Sequence, residues 1–83
     1  MINKVKLKDA IAKRVQQLCV ENNLTVHGLS IKTGVANSTL ADIVNARNES
    51  VQIKYIYGIC AGLCISLVDF FSPDYFDKNS LTD

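Results

Sequence analysis

The segment TGVANSTLADIVNA, residues 33–46, decides how this chain folds. It places one glycine, Gly34, between two short stretches whose apolar residues recur with helical spacing. Glycine adopts the left-handed conformation that ends a helix at little cost, so one helix is predicted to stop there. The next helix is predicted to begin at Asn37, or one residue before it, and to run to about residue 45 or 46. Two short helices joined by a tight glycine-containing turn form a helix-turn-helix unit.

The helix that begins near Asn37 has two different sides. Leu40, Ile43 and Val44 follow the spacing of a buried side. The other side is polar and nearly uncharged, whereas a helix that only faces solvent more often carries Lys and Glu pairs. Small hydrogen-bonding side chains can approach base edges closely, which favours a helix presented to DNA. The outward residues are Asn37, Ser38, Ala41, Asp42 and Asn45.

The same periodicity predicts an all-α, compact five-helix bundle. Thr25 is a suitable N-cap for the second helix, and Pro73 ends the fifth. We expect one helix-turn-helix domain over residues 1–72 and a short acidic tail over 73–83, either loose or docked. The other four helices are predicted over about residues 7–21, 26–33, 52–63 and 67–71. The expected core consists of Ile11, Val15, Leu18, Leu29, Leu40, Ile43, Ile56, Ile59, Leu63, Leu67 and Phe70.

The bulk composition excludes several classes of protein. A chain of 83 residues suffices for one domain, and 48% hydrophobic residues argue against disorder. No apolar run has the length of a membrane span, and the N-terminus lacks a signal-peptide pattern, so we expect a cytoplasmic protein. Residues 1–48 carry seven basic and three acidic side chains, whereas residues 49–83 carry two and five. A basic front half is compatible with phosphate binding and also with ordinary scatter.

No pattern of catalytic or metal-binding residues stands out. Cys19, Cys60 and Cys64 are odd in number and are expected to be small core residues. His27 has no partner that would make it a base or a ligand, and no phosphate-cradling glycine loop exists. We expect no enzyme activity, no cofactor, no metal and no small-molecule ligand.

From Arg14 to Phe71 the chain resembles the phage-repressor and Cro-type (XRE-like) helix-turn-helix regulators. The matching segments are RVQQLCVENNLT, LSIKTGVANSTLADIVNARN and IKYIYGICAGLCISLVDFF, and the resemblance spans 58 of the 83 residues. It implies a lambda-repressor-like fold and a DNA-binding transcriptional regulator, a repressor, that reads double-stranded operator DNA with its third helix in the major groove. It also implies a homodimer.

The resemblance assigns roles to particular positions. Asn37 is the strongest base reader, since an amide can pair bidentately with adenine. The residues expected to face bases are Ala36, Asn37, Ser38 and Asp42. The residues expected to contact phosphates are Lys32, Asn45 and Arg47.

Some positions depart from the family pattern. The family often pairs the arginine at Arg14 with a glutamate in the third helix, where this chain has Val44. Ala46 and Cys64 stand where the family often has glycine, and Val26 stands where it often has a phosphate-contacting glutamine.

Two readings of the function stay open on the sequence alone. The alternative to a DNA-binding regulator is a helix-turn-helix module that binds a protein, such as an antitoxin or a regulatory partner. Dimerisation is expected through the last helix, the tail and part of the fourth helix. Four aromatic residues either belong to such an interface or cover the edge of the core: Tyr55, Tyr57, Tyr75 and Phe76.

Overall fold

A computed structural model describes residues 4–82 of the chain. The predicted five-helix, all-α fold is confirmed, and each helix lies within about two residues of its predicted bounds. Two very short strands and one 3₁₀ turn were not predicted: β1 (Val5–Lys6), β2 (Leu81–Thr82) and Asp74–Phe76. The helices are α1 (Leu7–Glu21), α2 (Val26–Thr33), α3 (Asn37–Val44), α4 (Ile53–Leu63) and α5 (Leu67–Phe70).

The turn between α2 and α3 forms as its residues predict. The Thr25 hydroxyl accepts a hydrogen bond from the Gly28 amide at 3.0 Å, which caps the start of α2. Gly34 ends α2 in the left-handed conformation, with φ of 77°, and its amide donates to the Ser30 carbonyl at 2.8 Å. Val35 is buried directly after it. The turn is therefore fixed by a cap at one end of α2 and a glycine at the other.

Two glycines of α4 bring this helix against the helix-turn-helix unit. A Cβ added at Gly62 would lie 2.8 Å from the Thr33 Cα, and one at Gly58 would lie 3.0 Å from a Val35 methyl group. Such distances leave no room for a side chain, so the backbone of α4 packs directly on the end of α2. The back of the turn is thereby supported by a rigid helix.

The core lies between α1, α3, α4 and α5, with Leu29 entering from α2. Nine of the eleven predicted core residues are buried. Leu63 is only half-buried, and Leu67 is 37% exposed. The prediction for Leu67 is wrong because α5 has a single turn, and Phe70 is the residue of that turn that is buried. The buried residues that pack together as the core cluster are Ile11, Val15, Leu18, Cys19, Leu29, Val35, Leu40, Ile43, Ile56, Ile59, Cys60 and Phe70.

The cysteines do not behave alike. Cys19 and Cys60 are buried, and burial raises the pKa of both thiols. Cys64 is exposed, so the expectation that all three are core residues is wrong for it. Cys64 caps α4 in the left-handed conformation, with φ of 59°, and its side chain therefore leaves the helix face that Cys60 shares with the core. In residues 4–82 no helix combines the length and apolar character of a membrane span.

The C-terminal tail is docked on α1. The strands β1 and β2 pair in parallel, with Val5 opposite Leu81 and Lys6 opposite Thr82. In the 3₁₀ turn the Tyr75 hydroxyl donates to Gln17 of α1 at 2.7 Å. Phe76 is half-buried, and its ring centroid lies 5.0 Å from that of Phe71. Of the two roles left open for the tail aromatics, Phe76 takes the one at the edge of the core.

Candidate nucleic-acid interface

The first turn of α3 presents polar groups that the rest of the protein does not use. Ala36 is the N-cap of α3, and Ala36, Asn37 and Ser38 are all exposed. Within residues 4–82 neither the Asn37 amide nor the Ser38 hydroxyl has a hydrogen-bond partner. These two side chains can therefore donate to and accept from an external molecule without breaking a contact within the fold.

The opposite side of α3 is held firmly. Leu40 is fully buried and Ile43 is 3% exposed. At the end of the helix the Gln16 side-chain amide of α1 donates to the Val44 carbonyl at 2.8 Å. This bond satisfies one of the carbonyls that the end of a helix leaves unpaired. These contacts on the inner side of α3 fix the orientation of its outward side. The outward side carries Asn37, Ser38 and Asp42 and is called the reading face below.

Asp42 and Arg47 contact each other. The Arg47 guanidinium lies 3.0 Å from an Asp42 carboxylate oxygen, and the Arg47 amide donates to the Asp42 carbonyl at 3.0 Å. The family resemblance assigned these residues separately, Asp42 to bases and Arg47 to phosphates. Their pairing neutralises a carboxylate that would otherwise repel a phosphate, and it fixes the loop after α3 to the reading face. Arg47 keeps 61% of its side chain exposed.

Asn45 and Lys32 differ in how much of their polar surface is free. The Asn45 side-chain amide donates to the Ala41 carbonyl at 2.8 Å, so this group closes the end of α3. Lys32 is exposed in the last turn of α2 and has no ion pair in the described part of the chain. Of the three residues predicted to contact phosphates, Lys32 has no ion pair in the described part of the chain, and the Arg47 and Asn45 side chains are each partly occupied.

The structure shows the local consequences of two departures from the family pattern. Ala46 has φ of 51°, which is the left-handed region where glycine is favoured. Arg14 has no partner on α3. Its guanidinium instead donates to the Asp69 and Phe70 carbonyls at 2.8 and 2.7 Å, which ties α5 to α1. The arginine therefore has a structural role at the end of α5.

A second ion pair at this site, between Lys8 and Glu49, was not predicted either. The Lys8 ammonium lies 2.9 Å from a Glu49 carboxylate oxygen, which connects the start of α1 with the loop after α3. The hydrogen bond from Lys8, together with the charges of Lys8 and Lys6, lowers the pKa of the Glu49 carboxyl group. The excess of lysines near the N-terminus was visible in the sequence, but no pattern located their partner 41 residues further along the chain.

A crystal structure of a prophage protein, prophage Lp1 protein 11, has the same fold. The two structures superimpose with a TM-score of 0.76 over 88% of this chain and 96% of that one, at 23% sequence identity. No protein-family model and no curated protein sequence matches the chain. The agreement at such low identity concerns the fold.

Proposed function

We propose that this chain is a sequence-specific DNA-binding transcriptional regulator, a repressor, that reads operator DNA with α3 in the major groove. The observation that carries the proposal is the pair of exposed, unpartnered side chains, Asn37 and Ser38, at the start of a helix that is held from behind. An amide at this position can form two hydrogen bonds to one adenine, and a hydroxyl can pair with several bases.

The cations near α3 support the same proposal. Lys32 precedes α3 in the chain and Arg47 follows it, so each end of the reading helix has a basic side chain nearby. In protein–DNA complexes, contacts to phosphates fix the position of the protein, while contacts to base edges specify the sequence. The fold of a prophage protein is in keeping with a regulator of the phage-repressor type.

We propose further that the protein acts as a homodimer. An eight-residue helix is about 12 Å long and reads only a few base pairs, whereas a twofold pair reads half-sites about 34 Å apart. A groove of about 350 Å³ between α4 and α5, called the α4–α5 groove below, offers an apolar surface for a second copy. Tyr57 and Val68 on this surface are 63% and 80% exposed. The groove is lined by Tyr57, Cys60, Ala61, Ile65, Ser66, Leu67 and Val68.

A second candidate function is a protein-interaction module, such as an antitoxin or a regulatory partner. Two observations favour it. Asp42 occupies part of the Arg47 guanidinium, which lowers the positive charge available for phosphates. Val20 and Ile31 are 77% and 74% exposed, and apolar side chains on a helical surface suit a protein partner.

The two candidates differ in how binding depends on salt. Wild-type protein is titrated onto the DNA immediately upstream of its own gene and onto a shuffled duplex of equal length, over a potassium chloride series. A regulator is expected to bind the upstream DNA more tightly and to lose affinity for both duplexes as salt rises. Absence of binding to either duplex at low salt would contradict the DNA-binding proposal and leave the protein-interaction module.

A further inference from the structure

The strands β1 and β2 pair next to the start of α1, which contacts the loop after α3. The Val5 amide donates to the Ser80 carbonyl at 2.9 Å, and Lys6 lies opposite Thr82 in the parallel pair of strands. The first turn of α1 follows at once, and its Lys8 contacts Glu49 in the loop. The basic start of the chain is therefore fixed to the body of the protein by the tail on one side and by the loop on the other.

A continuous series of contacts joins this basic segment to the reading face. Asp42 on α3 holds Arg47 at 3.0 Å, and Glu49 holds Lys8 at 2.9 Å. Arg47 and Glu49 are two residues apart, so their Cα atoms are separated by at most about 7 Å. The Lys8 ammonium is thus connected to the paired Arg47 through one side-chain contact, with Glu49, and one intervening loop residue, Asn48.

Lys6 adds a second positive charge beside Lys8. Its side chain is exposed, and no carboxylate within residues 4–82 forms a salt bridge with it. Its charge nevertheless acts on Glu49, the same carboxylate that Lys8 contacts. Lys8 thus has a carboxylate that it can exchange for a phosphate oxygen, and Lys6 has no ion pair within residues 4–82.

We infer that Lys6 and Lys8 form a second phosphate-contact site for the backbone of duplex DNA, and that the C-terminal tail holds this site in place. The inference rests on the proposed DNA-binding function and extends its surface beyond Lys32, Asn45 and Arg47. The ligand is the phosphodiester backbone at the flank of the half-site that α3 reads. Glu49 limits the affinity of this site for phosphate, because its carboxylate neutralises Lys8 until a phosphate takes the place of the carboxylate.

The tail contributes by ordering the lysines before DNA arrives. Besides the strand pair, the Tyr75 hydroxyl donates to Gln17, and the Lys13 ammonium lies 4.5 Å from the centre of the Tyr75 ring. An ordered cation loses less conformational entropy on contacting a phosphate than one on a free chain end. Loosening the strand pair is therefore expected to weaken DNA binding even when both lysines are present.

The test compares full-length variants on the upstream duplex and on the shuffled duplex, over the same salt series. Lys6→Ala is expected to weaken binding to both duplexes by the same factor and to reduce the salt slope by about one unit, because one phosphate contact is lost. Glu49→Gln is expected to strengthen binding to both duplexes, because it releases Lys8. Lys78→Ala, which removes an exposed lysine that forms no ion pair within residues 4–82, is the matched control and should change neither affinity.

A fourth variant tests the role of the tail. Val5→Pro removes the amide that donates to Ser80 and keeps every lysine, and it should weaken binding to both duplexes. An unchanged melting temperature for Lys6→Ala would show that the fold is intact. If the wild type binds DNA while Lys6→Ala and Lys78→Ala behave alike, the second phosphate site is wrong and the proposed function stands. If the wild type binds neither duplex, both are wrong.

Discussion

The reading face and the α4–α5 groove are both exposed, yet their chemistry is opposite. The reading face offers small polar side chains, Asn37 and Ser38, with ion pairs close by. The groove offers apolar side chains, of which Val68 is 80% exposed. A polar surface with nearby cations suits a hydrated, charged partner, whereas an apolar one suits the surface of another protein. The proposed function therefore assigns the reading face to DNA and the groove to a second copy of the chain.

Both surfaces depend on the same core, and the largest expected effect comes from breaking it. Leu40→Ala should lower the free energy of unfolding by about 2–5 kcal/mol, because Leu40 is fully buried on the inner side of α3. Urea denaturation measures this change. Val20→Ala, at a position of α1 that is 77% exposed, is the control and should stay within about 0.5 kcal/mol of the wild type. An unchanged midpoint for Leu40→Ala would mean that the inner side of α3 is assigned incorrectly.

A substitution behind the reading face should have the next largest effect. Gly62→Ala places a Cβ 2.8 Å from the Thr33 Cα, so α4 and α2 must separate, at a cost of about 1–3 kcal/mol. Gly28→Ala is the matched helical control, since its Cβ would meet Leu24 and Thr25 no closer than 3.4 Å. It should gain up to about 1 kcal/mol from the higher helix propensity of alanine. Equal effects of the two substitutions on thermal unfolding would contradict the close packing of α4 on α2.

A charged residue placed in the α4–α5 groove tests whether this surface, and not another one, forms the dimer. Val68→Asp is expected to weaken the dimer at least tenfold, or about 1.4 kcal/mol, because a carboxylate would be buried at the contact. Sedimentation equilibrium measures the dissociation constant. Ile31→Asp makes the same kind of change on α2 and should leave the dimer intact. A wild type that stays monomeric at high concentration, with and without DNA, would exclude the dimer.

The smallest expected effect comes from the ion pair beside the reading face. Asp42→Asn frees Arg47 and removes a negative charge, so affinity for shuffled DNA should rise by at most about tenfold. Asp77→Asn, in the tail, changes the net charge equally and should have less effect. Equal increases for both variants would attribute the change to net charge alone.

Local signals explain how much of the fold was predictable from the sequence. Thr25, Gly34 and Pro73 act within a few residues of their own position, and apolar spacing marks the helices between them. The strands were not predictable, because two residues carry no alternating pattern, and Val5 pairs with a residue 76 positions away. Cys64 was misplaced because helical spacing was assumed to continue past the end of α4.

The sequence predicted which residues of the candidate site are exposed, but it did not predict which side chains contact each other. The exposed positions of Asn37 and Ser38 follow from helical spacing, whereas Ala36 was assigned by the family resemblance. The pairing of Asp42 with Arg47 and of Lys8 with Glu49 does not, because long charged side chains near a loop have several possible partners. Sequence patterns thus indicate which side chains are outward, while the structure shows which of them are already occupied.

The most direct test of DNA reading by α3 compares Asn37→Ala and Arg47→Ala on the preferred site and on shuffled DNA over a salt series. Asn37→Ala should cost about 1–3 kcal/mol on the preferred site and little on shuffled DNA, because it removes contacts to base edges. Arg47→Ala should weaken both about equally and reduce the salt slope by about one unit. Asn79→Ala, an exposed asparagine in the tail, is the control. If Asn37→Ala lowers both affinities by the same factor, α3 does not read the sequence.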